Sequence, residues 1–129
     1  MIKLVALLKK RADISREEFI AHYEHSHVPL IMKHFEPYVV EYTRTYLDHD
    51  HPLSFVGGYG SESAFPGVVY DVVTTQSFRC KEDLDAFYEG AAKPGVGEEI
   101  AADEAKFLDS SVNQVIIMLD EKRNPGGKA

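Results

Sequence analysis

The chain has one cysteine, Cys80, among 129 residues, which excludes an intrachain disulfide and any multi-cysteine metal centre. Cys80 follows Arg79 at a predicted helix start, and the plain expectation for a lone thiol is an incidental packing residue. No apolar run approaches the roughly 20 residues of a spanning helix, so no membrane partner is expected. Positive charge is in the minority: 14 Lys and Arg against 21 Asp and Glu leave a net charge of −7. That balance argues against nucleic acid or an anionic membrane as partner. There is no H-E-x-x-H and no His/carboxylate set at ligand spacing, so no metal and no cofactor is expected. No internal repeat is present beyond a weak likeness of the two halves. The opening MIKLVALLKKR carries a lysine inside its apolar run and charges after it, the reverse of a signal peptide, which points to the cytoplasm.

What is present suits one soluble globular domain, expected over residues 1–120 with a polar tail at 121–129. Hydrophobic residues are 44% of the chain and charged residues 27%, ordinary for a packed core. The organising stretch is Ser15 to His34. Ser15 and Glu18 match the S-x-x-E capping box at a helix start. On the helix that follows, Phe19, Tyr23, His27, Leu30 and His34 fall on one stripe, aiming two histidines inward, while His22 and His25 lie at its edge or outside it. Pro29 predicts a break or kink at His27–Val28, with His27 at a helix end.

Ile2–Leu8 is a compact apolar run and reads as a strand covered on both faces. Val39–Leu47 alternates and is rich in β-branched and aromatic residues. One face carries Val40, Tyr42, Arg44 and Tyr46, as either a solvated stripe or a pocket wall. Asp48–Gly67 is a long connection in which Phe55, Tyr59 and Phe65 could fold over a pocket or a second subunit. Its D-H-D-H run reads as hydrated loop charge, since adjacent residues rarely converge on one ion. Val68–Phe78 is a third strand, where Asp71 among valines is either a general acid or base, a group orienting His27, or a satisfied structural carboxylate. Lys81–Glu89 is a helix stopped by Gly90, Glu98–Leu108 a further helix, and Val112–Leu119 a fourth strand, apolar on both faces along its second half. The acids from Glu82 to Asp109 read mostly as solvated helix faces.

This order, β-α-β then β-α-α-β, is the α+β ferredoxin-like arrangement, with a four-stranded antiparallel sheet. Helices cover one face of such a sheet, so the two strands that look apolar on both faces call for a second copy of the chain. A homodimer is expected.

The IKLVALLKK start, the capped helix ending YEHSHVPL, Tyr70-Asp71 and the late DEAKFLD together resemble EthD-domain proteins of the dimeric α+β barrel superfamily. The likeness spans about Met1 to Leu119, and His27, Pro29 and Leu30 of H-x-P-L and Phe107-Leu108-Asp109 are its most specific parts. The family is named for a protein required for bacterial ethyl tert-butyl ether degradation. Fungal polyketide-pathway decarboxylases and dehydratases are related to it. The wider superfamily includes cofactor-free monooxygenases, lactone isomerases and haem enzymes. The resemblance implies a hydrophobic small-molecule pocket in each barrel with the histidine after the first helix inside it. This chain departs in having Tyr23 where many relatives carry tryptophan, and in the long 48–67 connection.

The expected chemistry is cofactor-free acid–base catalysis on a hydrophobic carbonyl compound: decarboxylation, dehydration, isomerisation or oxygenation. His27, Asp71 and Tyr23 are the catalytic candidates, with Tyr42, Arg44, Tyr46, His34 and Phe19 as substrate-binding candidates. The other readings are a non-catalytic dimer that binds and delivers a hydrophobic metabolite, and haem or metal binding through His27.

Overall fold

Strand β1 (Ile2–Leu8) lies in the middle of the fold, and its side chains alternate between two environments. Leu4, Ala6 and Leu8 are buried, while Val5 and Leu7 are only half-buried on the opposite face. The computed structural model describes residues 1–55 and 67–127. The sheet is four-stranded and antiparallel, ordered β2-β3-β1-β4, where β2 is Val39–Tyr46, β3 is Val72–Phe78 and β4 is Gln114–Ile117. Ala6 stands opposite Thr74 on β3 and opposite Val115 on β4, so these three share one face. The expected ferredoxin-like α+β architecture is the observed one.

Helix α1 (Arg16–His22) starts as its sequence dictates. The Glu18 N–H donates to Ser15 Oγ at 3.0 Å and the Ser15 N–H donates to the Glu18 carboxylate at 3.1 Å. The chain does not break at His27–Val28. A π-helical turn over Tyr23–His27, in which the Val28 N–H donates to the Tyr23 carbonyl, leads directly into α2 (Val28–Phe35) with Pro29 in its first turn. On a regular helix a row of residues four apart drifts by about 40° per step. The wider π turn absorbs that drift and leaves space for the proline ring, which otherwise clashes with the carbonyl four residues back. The buried row is therefore Phe19, Tyr23, His27, Ile31 and Phe35. Leu30 and His34, expected on that stripe, sit on its half-exposed flank.

In β2 the pairing register slips between Val39 and Glu41. Val39 packs against the core, while Val40, expected on the face of Tyr42, is 55% exposed. Strand β3 begins at Val72, four residues later than Val68; Asp71 stands just before it. Helix α3 (Lys81–Ala91) runs through Gly90, which does not stop it. The glycine instead allows a close approach: a Cβ would lie 3.1 Å from the ring of Phe35. Helix α4 (Val96–Glu104) follows Gly95, whose φ of +87° suits glycine and whose N–H donates to Glu98. Phe107 and Leu108, expected within this helix, lie beyond it. There the Arg11 N–H donates to the Phe107 carbonyl and the Asp109 N–H to the Lys9 carbonyl, fastening the segment to the end of β1.

The buried core joins Leu4, Ala6 and Leu8 of β1 to Phe19, Tyr23, Val72, Phe78, Phe107 and Leu108. Strand β4 is an edge strand, shorter than expected, and exposed along its length. Residues 121–127 are exposed and carry no helix or strand. In the 48–67 connection, Phe55 is exposed, while Tyr59 and Phe65 lie outside the described residues. Among the described residues no helix is long and apolar enough to cross a membrane.

Candidate functional site

His27 comes from the π turn, where the extra residue per turn turns its ring inward between the sheet and α4. Its Nδ1 lies 2.9 Å from Oδ2 of Asp103, at the last turn of α4. The other oxygen, Oδ1, accepts from Ser26 Oγ at 2.8 Å and pairs with His22 Nε2 at 3.0 Å. Burial alone would raise the Asp103 pKa, but the hydrogen bonds from Ser26, His27 and His22 outweigh it and hold the carboxyl below its ordinary range. An ionised carboxylate can only accept, so Nδ1 of His27 carries the proton and Nε2 has the free lone pair. Burial moves the His27 pKa below its ordinary value, against the pull of Asp103, so the imidazole is neutral near neutrality. A neutral ring with one nitrogen anchored and the other free is equipped as a general base.

The ring of His27 lines a cavity of about 210 Å³ between the helix-bearing face of the sheet and the helices. Ala6, Tyr42, Thr74 and Gln76 form its sheet wall, while Tyr23, Ile31 and Phe35 continue the His27 side. Ile100 and Glu104, one turn apart on α4, face it as well. The lining is largely apolar with a few polar groups, as small-molecule sites are.

Tyr23 is almost fully buried in this wall; its hydroxyl is 2.6 Å from Thr74 Oγ1 and accepts from the Tyr42 hydroxyl at 3.2 Å. Burial raises both phenol pKa values well above ordinary, so both remain neutral hydrogen-bond donors. Tyr23 and Tyr42 thus both lie in the cavity wall. Arg44 and Tyr46 share the strand face of Tyr42 but do not line the cavity; they are committed to Glu24. Arg44 grips that carboxylate through two nitrogens at 2.9 and 2.6 Å, and the Tyr46 hydroxyl donates to it at 2.5 Å. The Arg44 hydrogen bonds lower the Glu24 pKa. This is a clamp between β2 and the helix. Phe19 lies in the core, edge-on to Tyr23 and Tyr46, and not in the cavity wall. His34 faces a separate groove between α2 and α3, with Nε2 3.2 Å from Glu99.

Asp71 is not the partner of His27. Its Oδ2 accepts the Lys10 N–H at 2.7 Å, and its own N–H and carbonyl bond Leu8 and Leu47. It stands where β1 ends and β3 begins, a satisfied structural carboxylate outside the cavity lining. Sequence reasoning missed Asp103 and Glu104, counting them among solvated acids. The available signal is the DEAKFLD stretch, which begins with this pair. Among the described residues no group of three or more His, Cys, Asp or Glu is arranged to hold a metal ion.

The sequence pattern of the family described as the EthD domain matches residues 11–111. Among solved structures, the chain is similar to an ethyl tert-butyl ether D (EthD) family protein from Bacillus halodurans. The two are 22% identical over 94% of this chain and 99% of that one, with a TM-score of 0.57. A protein from Arabidopsis thaliana is 15% identical over 97% of this chain and all of its own length, with a TM-score of 0.59. A dimeric ferredoxin-like protein from Thermobifida fusca is 15% identical over 91% of this chain and 88% of that one, with a TM-score of 0.50. At such identities these likenesses concern the fold. No curated protein matches the chain.

Proposed function

The chain belongs to the EthD family, whose pattern covers residues 11–111, and on that footing we propose that it is a small-molecule enzyme whose His27 performs acid–base chemistry. The substrate is a hydrophobic carbonyl compound held in the 210 Å³ cavity. The observation that carries the reading is the 2.9 Å contact of His27 Nδ1 with the buried Asp103, which leaves Nε2 without a hydrogen bond among the described residues on a cavity wall. In the common first step, Nε2 takes the proton from the carbon next to the carbonyl. The C–H electron pair becomes a C=C bond, the carbonyl π pair moves to oxygen, and the imidazole becomes imidazolium. Reprotonation at another atom completes an isomerisation. Loss of a β-hydroxyl, which takes the imidazolium proton and leaves as water, completes a dehydration. Dioxygen captured by the carbanion gives a peroxide, while a β-keto acid reaches the same enolate by releasing CO2 in place of the proton. None of these steps requires a cofactor.

The same reading takes the working unit as a homodimer. Val5 on β1 and Ile116 on β4 stand opposite each other on the sheet face away from the helices, with Ile116 46% exposed. A second sheet laid on that face would cover both, and the Thermobifida fusca relative is described as dimeric.

The test is exchange of the α-hydrogens of 2-tetralone, an apolar cyclic ketone, followed by NMR in heavy water. Wild-type protein should accelerate the exchange and His27→Gln should not. Equal rates with the two proteins would overturn the proposal. Tight binding of the ketone without exchange would favour a delivery module over an enzyme.

A further inference from the structure

Two polar side chains besides His27 face the cavity with nothing to bind. Gln76 is 94% buried by its 6% exposure, on the central strand β3, and its amide makes no hydrogen bond among the described residues. Glu104 has neither a hydrogen bond nor an ion pair among them, although Asp103 beside it in sequence has three partners. Nor do Gln76 and Glu104 bond each other. Among the described residues every fully enclosed side-chain nitrogen and oxygen has a partner, so the unmatched amide and carboxyl are groups that open onto the cavity, where a bound molecule can meet them. Their walls differ: Gln76 projects from the sheet beside Tyr42, its cross-strand neighbour, and Glu104 from α4 one turn beyond Ile100.

We infer that Gln76 and Glu104 are the recognition groups of this cavity, and that together they select ring compounds bearing two oxygen functions, such as a 1,3-diketone or its hydroxyaromatic counterpart. This rests on the small-molecule reading of the site. The Glu104 carboxyl donates to one oxygen when protonated and accepts from a hydroxyl when ionised. The Gln76 amide can donate or accept, and so bonds the other oxygen in its keto or its enol form. Burial and the neighbouring Asp103 charge push the Glu104 pKa up, which favours the protonated, donating form. The hydrocarbon part of the ring rests on Ala6, Ile31, Phe35 and Ile100. Neighbouring titratable side chains are Tyr23, His27, Tyr42 and Tyr88 in the wall and Asp103 behind it.

The test compares the binding of naphthalene, 2-naphthol and 1,3-dihydroxynaphthalene by calorimetry. Wild-type affinity should rise in that order, roughly tenfold per hydroxyl. Gln76→Leu and Glu104→Leu should each lose about one such step while naphthalene binding persists, and that retained binding shows an intact cavity. Glu104→Gln, which still donates, should restore most of the loss. The inference is overturned if the hydroxyls add nothing in the wild type, if none of the three compounds binds, or if both Leu variants keep the wild-type order. If either Leu variant does not fold, Gln76→Met or Glu104→Met, closer to the native side chain in length, takes its place with the same expected loss, since methionine offers the hydroxyl no comparable partner. Failure of the enzyme reading would look different: the hydroxyl preference would hold, but 2-tetralone would not exchange.

Discussion

Asp103 Oδ2 lies 2.9 Å from His27 Nδ1 although 76 residues separate them in the chain. The contact joins the only helical turn of π geometry among the described residues to the last turn of α4. It sets the tautomer of the imidazole and leaves Nε2 as the free nitrogen of a ring that lines the cavity. Asp103→Asn should therefore reduce 2-tetralone exchange by about 10²-fold and leave naphthalene binding unchanged. It should also lower stability by about 2 kcal/mol in urea melts, through the loss of charge-assisted hydrogen bonds. A merely structural role would lower stability and leave the rate per folded molecule intact.

Glu104 makes the opposite contribution. Its native pKa lies above the ordinary 4.5 because of burial and Asp103, so between those two values the native chain holds more protons than the unfolded chain. Stability then falls as pH rises from 4.5 through the native value and levels off above it. Glu104→Gln should be more stable than wild type at pH 8, by about 1 kcal/mol, with the gap closing below pH 4.5. Urea midpoints at the two pH values measure it. A gap of constant size would remove the titration from the explanation.

Gly90 packs against Phe35, which is 1% exposed and has its ring 4.5 Å from that of Phe87. With 3.1 Å between a would-be Cβ and the Phe35 ring, a branched side chain has no room. Gly90→Val should lose about 2 kcal/mol by overpacking, despite valine's better helix propensity. Thermal melts would show it, and a stabilised variant would mean that Phe35 can retreat into the cavity.

For the dimer, light scattering should give twice the 14.5 kDa chain mass for the wild type and the single-chain mass for Ile116→Glu. A charge at the centre of two facing sheets has no partner. A wild type already at the single-chain mass would end the proposal.

Much of the fold was legible because its signals are local. The capping box at Ser15 and Glu18, the apolar run at β1 and the alternation in β2 each depend on neighbours within a turn or a few residues. Phe19, Tyr23 and His27 fall on one buried row in the sequence and in the structure because they lie within two steps of four. Leu30 and His34 leave that row, since a single π turn shifts the phase of everything after it. The slip in β2 moved Val39 and Val40 for the same kind of reason, one residue altering the side of the sheet.

By itself the sequence determined the order of strands and helices, the absence of disulfides and the inward histidine, because periodicity and residue chemistry act over short distances. Only the tertiary structure decided which carboxylate serves that histidine. Asp71, set among valines, has its charge met by the Lys10 N–H at the end of the sheet. Asp103, in a helix that reads as a solvated acidic face, is buried because α4 docks against the π turn and offers it Ser26, His22 and His27. A carboxylate's role depends on the donors that surround it, and those donors come from distant parts of the chain.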